Sequence, residues 1–139
     1  MIVVIDTDVW VAGVRGSGSA NRVLEYCLDE RYRPLMGAAL LLEYEDVMGR
    51  DALWTRSRLN KSEREELLDI FLSVCQWTRI YYAWRPNLRD EGDNHIIELA
   101  VAGQAQYVVT RNIRDLRRGE LRFPQLRVVK PGEILEETS

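Results

Sequence analysis

One histidine, two cysteines and two lysines in 139 residues close off several kinds of chemistry at once. With His95 as the sole histidine, a histidine-rich zinc centre is ruled out. Cys27 and Cys75 stand far apart, form no CxxC pair and sit in apolar, helix-like stretches. They are expected to be reduced core residues rather than a disulfide or a metal site. Any metal must then be a hard cation held by oxygen, Mg²⁺ or Mn²⁺ first. No apolar run approaches the roughly 20 residues needed to span a membrane. Met1 to Ile5 leads straight into an acidic residue, with neither a basic region nor a cleavage site, which predicts a cytoplasmic chain without a signal peptide. Linkers, internal repeats and low-complexity stretches are also missing, and the length suits one domain over residues 1–139.

Hydrophobic residues make up 46% of the chain, which places it among folded proteins rather than disordered ones. A net charge of −3 is not the footprint of a general nucleic-acid binder. The distribution of charge is more informative. Seventeen of the nineteen basic residues are Arg, and Arg111, Arg114, Arg117, Arg118 and Arg122 crowd one short segment. Arg grips phosphate bidentately, so such a patch beside an acidic site suits a phosphodiester substrate, with Arg111 and Arg114 as the candidate contacts. The alternative is a solvated helix face in an Arg-biased composition.

Strand and helix patterns alternate along the chain. Ile2 to Ile5 is a β-branched run suited to a strand buried on both faces. A Gly/Ser-rich loop is expected over Gly13 to Ser19, with Ser19 capping a helix from Ala20 to Asp29. Tyr32 to Met36, Thr78 to Ala83, Tyr107 to Thr110 and Arg127 to Val129 read as further strands. Ala38 to Arg50, Lys61 to Cys75 (with Ser62 as a cap) and Asp93 to Gly103 read as helices, the last closed by its glycine. Pro131 opens a terminal helix. The alternation predicts an α/β protein with a parallel sheet covered on both faces. Ligands of such sheets bind beyond the carboxyl ends of the strands, which directs attention to the residues after Ile5 and Val109.

Acidic residues gather at those points. Asp6 and Asp8 end the first strand. Glu43 shares a helical stripe with Leu40, Tyr44 and Val47, an expensive place for a carboxylate unless it is paired or metal-bound. Asp93 heads an inward stripe with Ile96, Leu99, Ala100 and Gly103, although aspartate is also a favoured helix cap. Thr110 and Asn112 follow the fourth strand, with Asp115 a little further on. Carboxylates gathered in one pocket repel one another and call for a cation. A pair of divalent ions in such a pocket supports phosphodiester cleavage.

The segments V-I-D-T-D-V-W, L-L-E-Y, R-D-E-G-D-N-H-I-I-E-L-A and Y-V-V-T-R-N-I-R-D-L, with the closing V-V-K-P-G-E-I-L, resemble the PIN-domain nucleases over nearly the whole chain. The closest branch is that of toxin components of bacterial toxin–antitoxin pairs. The resemblance implies a three-layer α/β/α sandwich with parallel strand order 3-2-1-4-5. It also implies Mg²⁺- or Mn²⁺-dependent endoribonuclease activity on RNA, a homodimer and a small antitoxin partner. Carried over by position, Asp6, Glu43 and Asp93 match the three best-defined acids of the family. The fourth acid falls where this chain has Asn112, and Asp115 is the candidate to replace it as catalytic residue and metal ligand. Asp8, Thr110 and Asn112 are auxiliary candidates.

Two other readings remain open at this point. Asp6-Thr7-Asp8-Val9 also fits the nucleophile motif of haloacid-dehalogenase-type phosphatases, with Asp6 attacking phosphorus. That fold requires a later acidic loop, and after Arg127 to Val129 the chain offers Lys130 and Pro131 instead. The Asn112 departure also suits a non-catalytic RNA-binding or regulatory module that keeps the fold.

Overall fold

The computed structural model describes residues 1–80, 94–116 and 123–139, without the side chains of Asn94 and Asp115. In chain order the elements are β1 (Ile2–Ile5), α1 (Thr7–Val14), α2 (Gly18–Leu28), β2 (Arg33–Met36) and α3 (Ala38–Met48). A 3₁₀ turn (Asp51–Trp54), α4 (Lys61–Val74), β3 (Gln76–Trp77), α5 (Asn94–Ala102) and β4 (Tyr107–Val109) follow. The chain ends with α6 (Ile113–Leu116), β5 (Arg127–Val129) and α7 (Pro131–Thr138). The strands form one sheet in the order β3-β2-β1-β4-β5, and every recorded pair is parallel. This is the expected architecture and strand order.

Successive residues Val3, Val4 and Ile5 are all at most 1% exposed, which requires cover on both faces of the sheet. Right-handed crossovers explain the layering. The chain moves from β1 to β2 to β3 in one direction, placing α1 to α4 on one face. It then returns to β4 in the other direction, so α5 lies on the opposite face against β1, β2 and β4. Trp10 of α1, Tyr44 of α3 and Phe71 of α4 meet in one aromatic cluster, with ring centroids 5.0–5.9 Å apart. All three are at most 1% exposed. Among the described residues no helix is long and apolar enough to cross a membrane.

Several local expectations are corrected. The loop expected over Gly13 to Ser19 shrinks to a short turn, because α1 runs from Thr7 through Val14 and α2 already begins at Gly18. Gly13 sits inside α1 because the helices pass closely there: a Cβ on it would lie 2.5 Å from Leu24 Cδ1 and 3.0 Å from the Ala20 carbonyl. Ser17, not Ser19, stands at the start of α2, and it makes no side-chain cap. Asn60 rather than Ser62 caps α4, in a reciprocal capping box with Glu63. The third strand is Gln76–Trp77, with Thr78 to Ile80 outside it and residues 81–83 outside the described residues. The Thr78 N–H continues the pairing, donating to the Met36 carbonyl at 2.8 Å.

The end of α5 also departs from expectation. Gln104 takes the left-handed conformation (φ 58°), and the Ala105 N–H closes the turn on the Ala100 carbonyl at 2.8 Å. Gly103 is required instead for packing, since a Cβ there would meet Leu35 Cδ1 at 2.3 Å.

Both cysteines are free, Cys27 buried and Cys75 half-buried. Burial pushes the Cys27 thiol far up and that of Cys75 up to about 12. Because the thiolate is the nucleophile, Cys75 is expected to alkylate on the order of a thousandfold more slowly at pH 8 than an ordinary thiol. Mass spectrometry after iodoacetamide treatment should show no adduct on the native chain and two after unfolding in guanidinium. Rapid labelling of the native chain would contradict the burial.

Candidate functional site

The strand order reverses direction at β1, whose connections leave one way while those of β4 leave the other, so a crevice opens at their carboxyl ends. Ile5 stands opposite Val109 in the register, which brings the next residues, Asp6 and Thr110, side by side. The Asp6 N–H donates to the Val109 carbonyl at 3.0 Å. Thr110 is fully buried, and its hydroxyl donates to Asp6 Oδ2 at 2.8 Å while accepting from the Asn112 N–H at 3.0 Å.

Asp6 is also the N-cap of α1. Its Oδ1 accepts the Thr7 N–H at 2.8 Å. Glu43 reaches the same place from α3. The neighbouring Tyr44 is fully buried and donates its hydroxyl to the Ile5 carbonyl at 2.7 Å, tying α3 to the end of β1. Burial holds the Tyr44 phenol well above its ordinary range, so it remains a donor. Tyr44→Phe is expected to cost about 1–2 kcal/mol by removing the partner of a buried carbonyl, and to lower activity by loosening Glu43 from Asp6. Urea unfolding read by circular dichroism checks the first effect. A variant indistinguishable from the parent would show that this bond does not hold the site together.

Between the two carboxylates lies Thr7. Its hydroxyl is 3.4 Å from Asp6 Oδ1 and 3.5 Å from Glu43 Oε1, and it has one proton to give. Both distances are long for a hydroxyl donor, so one proton is shared weakly between two carboxylates. Two carboxylates and a hydroxyl converging here form an oxygen-rich arrangement that fits a hard divalent cation.

On the far side of Glu43, His95 Nε2 lies 2.7 Å from Oε2 and fixes that oxygen, leaving Oε1 toward Thr7. His95 Nδ1 is buried and has no partner among the described residues. The sequence had used His95 only to exclude zinc, and it passed over Thr7. The signals for both were present, in a hydroxyl between two acids and in a histidine two residues after Asp93.

Asp8 points to the other side of Asp6. It accepts the Arg111 N–H at 3.1–3.2 Å, and Thr110 Oγ1 lies 3.4 Å from its Oδ2. Burial pushes its carboxyl up from the ordinary aspartate value, opposed by these hydrogen bonds.

Of the remaining candidates, Arg111, Asn112 and Arg114 are exposed just beyond β4. Asp93 lies outside the described residues, and Asp115 is placed by backbone alone, on α6. Among the described residues no three His, Cys, Asp or Glu side chains gather in a group that holds a metal by itself. Asp6 and Glu43 are brought together around Thr7, and Asp8 reaches Asp6 through the Thr110 hydroxyl.

These features define an α/β protein with an acidic crevice at the switch point of a five-stranded parallel sheet. The profile of the PIN domain matches residues 2–114, and the chain belongs to the PIN-domain family. No curated protein matches it. Among solved structures it is similar to a chain in the crystal structure of VapBC2 from Rickettsia felis bound to a DNA fragment from their promoter. The identity is 23% and the TM-score 0.59, covering 94% of this chain and 98% of the other. The family match leaves the phosphatase alternative without support.

Proposed function

We propose that this chain is a metal-dependent endoribonuclease that hydrolyses RNA phosphodiester bonds in the cytoplasm. In this reading it is the toxin of a toxin–antitoxin pair and works as one PIN domain over residues 1–139, in a homodimer. The observation that carries the proposal is the run Asp6–Thr7–Glu43–His95, with Thr110 locking Asp6 from the β4 side. Asp6, Glu43, Asp93 and Asp115 would hold Mg²⁺ or Mn²⁺. A bound divalent cation supplies Lewis acidity, offsetting charge on the phosphodiester and easing ionisation of the attacking water. Thr110 and the Thr7 N–H fix the two oxygens of Asp6, and His95 fixes one oxygen of Glu43. Asp8 anchors the turn after β4 at Arg111, and this turn with the start of α6 would present Arg111 and Arg114 to substrate phosphates.

The toxin reading is supported by the motif resemblance. The similarity to VapBC2, a complex seen on a DNA fragment from their promoter, supports a comparable assembly with a small antitoxin. Incubation with total RNA tests the activity: fragments are expected with Mn²⁺ or Mg²⁺ and none with EDTA. Asn112, where the family usually has an acid, favours a second reading as a non-catalytic RNA-binding module. RNA binding that is equal in metal and in EDTA, without cleavage in either, would establish that module and overturn the nuclease.

A further inference from the structure

An open cleft of about 750 Å³ begins at Thr7 and Asp8 and continues away from the acidic pair. One wall is α1 and the turn after it, and the other is the end of α3 with the 3₁₀ turn. Arg15, Arg50 and Arg111 line it, and Asp8 is the sole acidic residue among the described lining. Arg50 is exposed and paired with Asp46 four residues earlier on the helix. Such exposed pairs contribute little and exchange readily for another anion. The floor is apolar, built from Val11, Val47 and Leu53.

We propose that this cleft binds the single-stranded RNA flanking the scissile bond, with Arg15 and Arg50 on its phosphates and the apolar floor beneath its bases. The inference rests on the nuclease reading above and names the substrate path of that site. Three guanidinium groups against Asp8 and the exchangeable Asp46 favour a polyanion, and Arg matches phosphate geometry. An apolar floor favours bases free to leave their stack, as in a single strand, whereas a duplex hides their faces. The shared residues Thr7 and Asp8 make the cleft continuous with the acidic pair, so a strand lying in it presents its next phosphodiester there.

The test uses the full chain in EDTA, a fluorescein-labelled single-stranded RNA of randomised sequence, and anisotropy at several salt concentrations. Arg15→Gln and Arg50→Gln are each expected to weaken binding several-fold and to lower the slope of log Kd against log salt by about 0.7, the loss of one phosphate contact. Arg33→Gln, at the amino end of β2, should change neither, and the parent should prefer the single strand to its duplex. Unchanged affinity and slope in both cleft variants, or equal binding of the duplex, would each overturn the proposal. Cleavage of total RNA with Mn²⁺ is measured in parallel. If the parent cleaves while the cleft variants bind normally, only the cleft assignment falls; if the parent neither binds nor cleaves, the nuclease reading falls with it.

Discussion

Asp6→Asn is expected to reduce RNA cleavage by at least about a hundredfold without unfolding the chain. Removing outer-shell partners of a metal site costs about 10–100-fold, so loss of a direct ligand must cost more. The fold should survive because the amide keeps an oxygen where Oδ1 accepts the Thr7 N–H. Its nitrogen can donate to the Thr110 hydroxyl, which is then free to turn its proton to Asp8 Oδ2, 3.4 Å away. The substitution also removes one of two facing charges, so in EDTA the melting temperature should match or exceed that of the parent. Asp6→Ala, by contrast, loses the cap of α1 and should cost about 1 kcal/mol. Parent-like cleavage by Asp6→Asn would show that the reacting site lies elsewhere.

The largest stability effect is expected from Trp10→Ala. Trp10 is fully buried, 5.5 Å from the Tyr44 ring and 5.0 Å from that of Phe71, and its indole N–H donates to Met48 Sδ at 3.4 Å. Truncation opens a cavity where α1, α3 and α4 meet, at a cost of about 3–5 kcal/mol. Against a typical total of roughly 5–15 kcal/mol, a large part of the stability is removed. Because α1 and α3 carry Asp6's cap and Glu43, activity should be lost at lower temperature than in the parent. Urea unfolding checks the magnitude; a loss well under 1 kcal/mol would mean that the cluster is not the centre of the core.

Strands β1, β4 and β5 were legible because they are written largely in buried β-branched residues. Ile2 to Ile5 and Arg127 to Val129 were found at their observed limits. What escaped was decided by tertiary contact. Helix α1 was missed because its Gly13 reads as a loop residue, yet the glycine is there to let Leu24 of α2 approach. The edge strand β3 is two residues of exposed sequence, Gln76 and Trp77, held by pairing with β2 rather than by pattern. The left-handed closure of α5 fell on Gln104, because Gly103 was already committed to packing on Leu35.

In the site, the stripe spacing around Glu43 pointed inward, and the structure places its neighbours Leu40 and Tyr44 in the core as that spacing requires. Thr7 and His95 escaped because a hydroxyl and an imidazole acquire meaning only through the distances that link Asp6 to Glu43.

Crystals grown with Mn²⁺ and measured at the manganese absorption edge would test the central claim most directly. An anomalous peak is expected within about 2.0–2.3 Å of oxygens from both Asp6 and Glu43, the range for a hard cation on carboxylates, and it should vanish in Asp6→Asn. A chain that cleaves RNA in Mn²⁺ but shows no peak there, or shows it on other residues, would contradict the assignment.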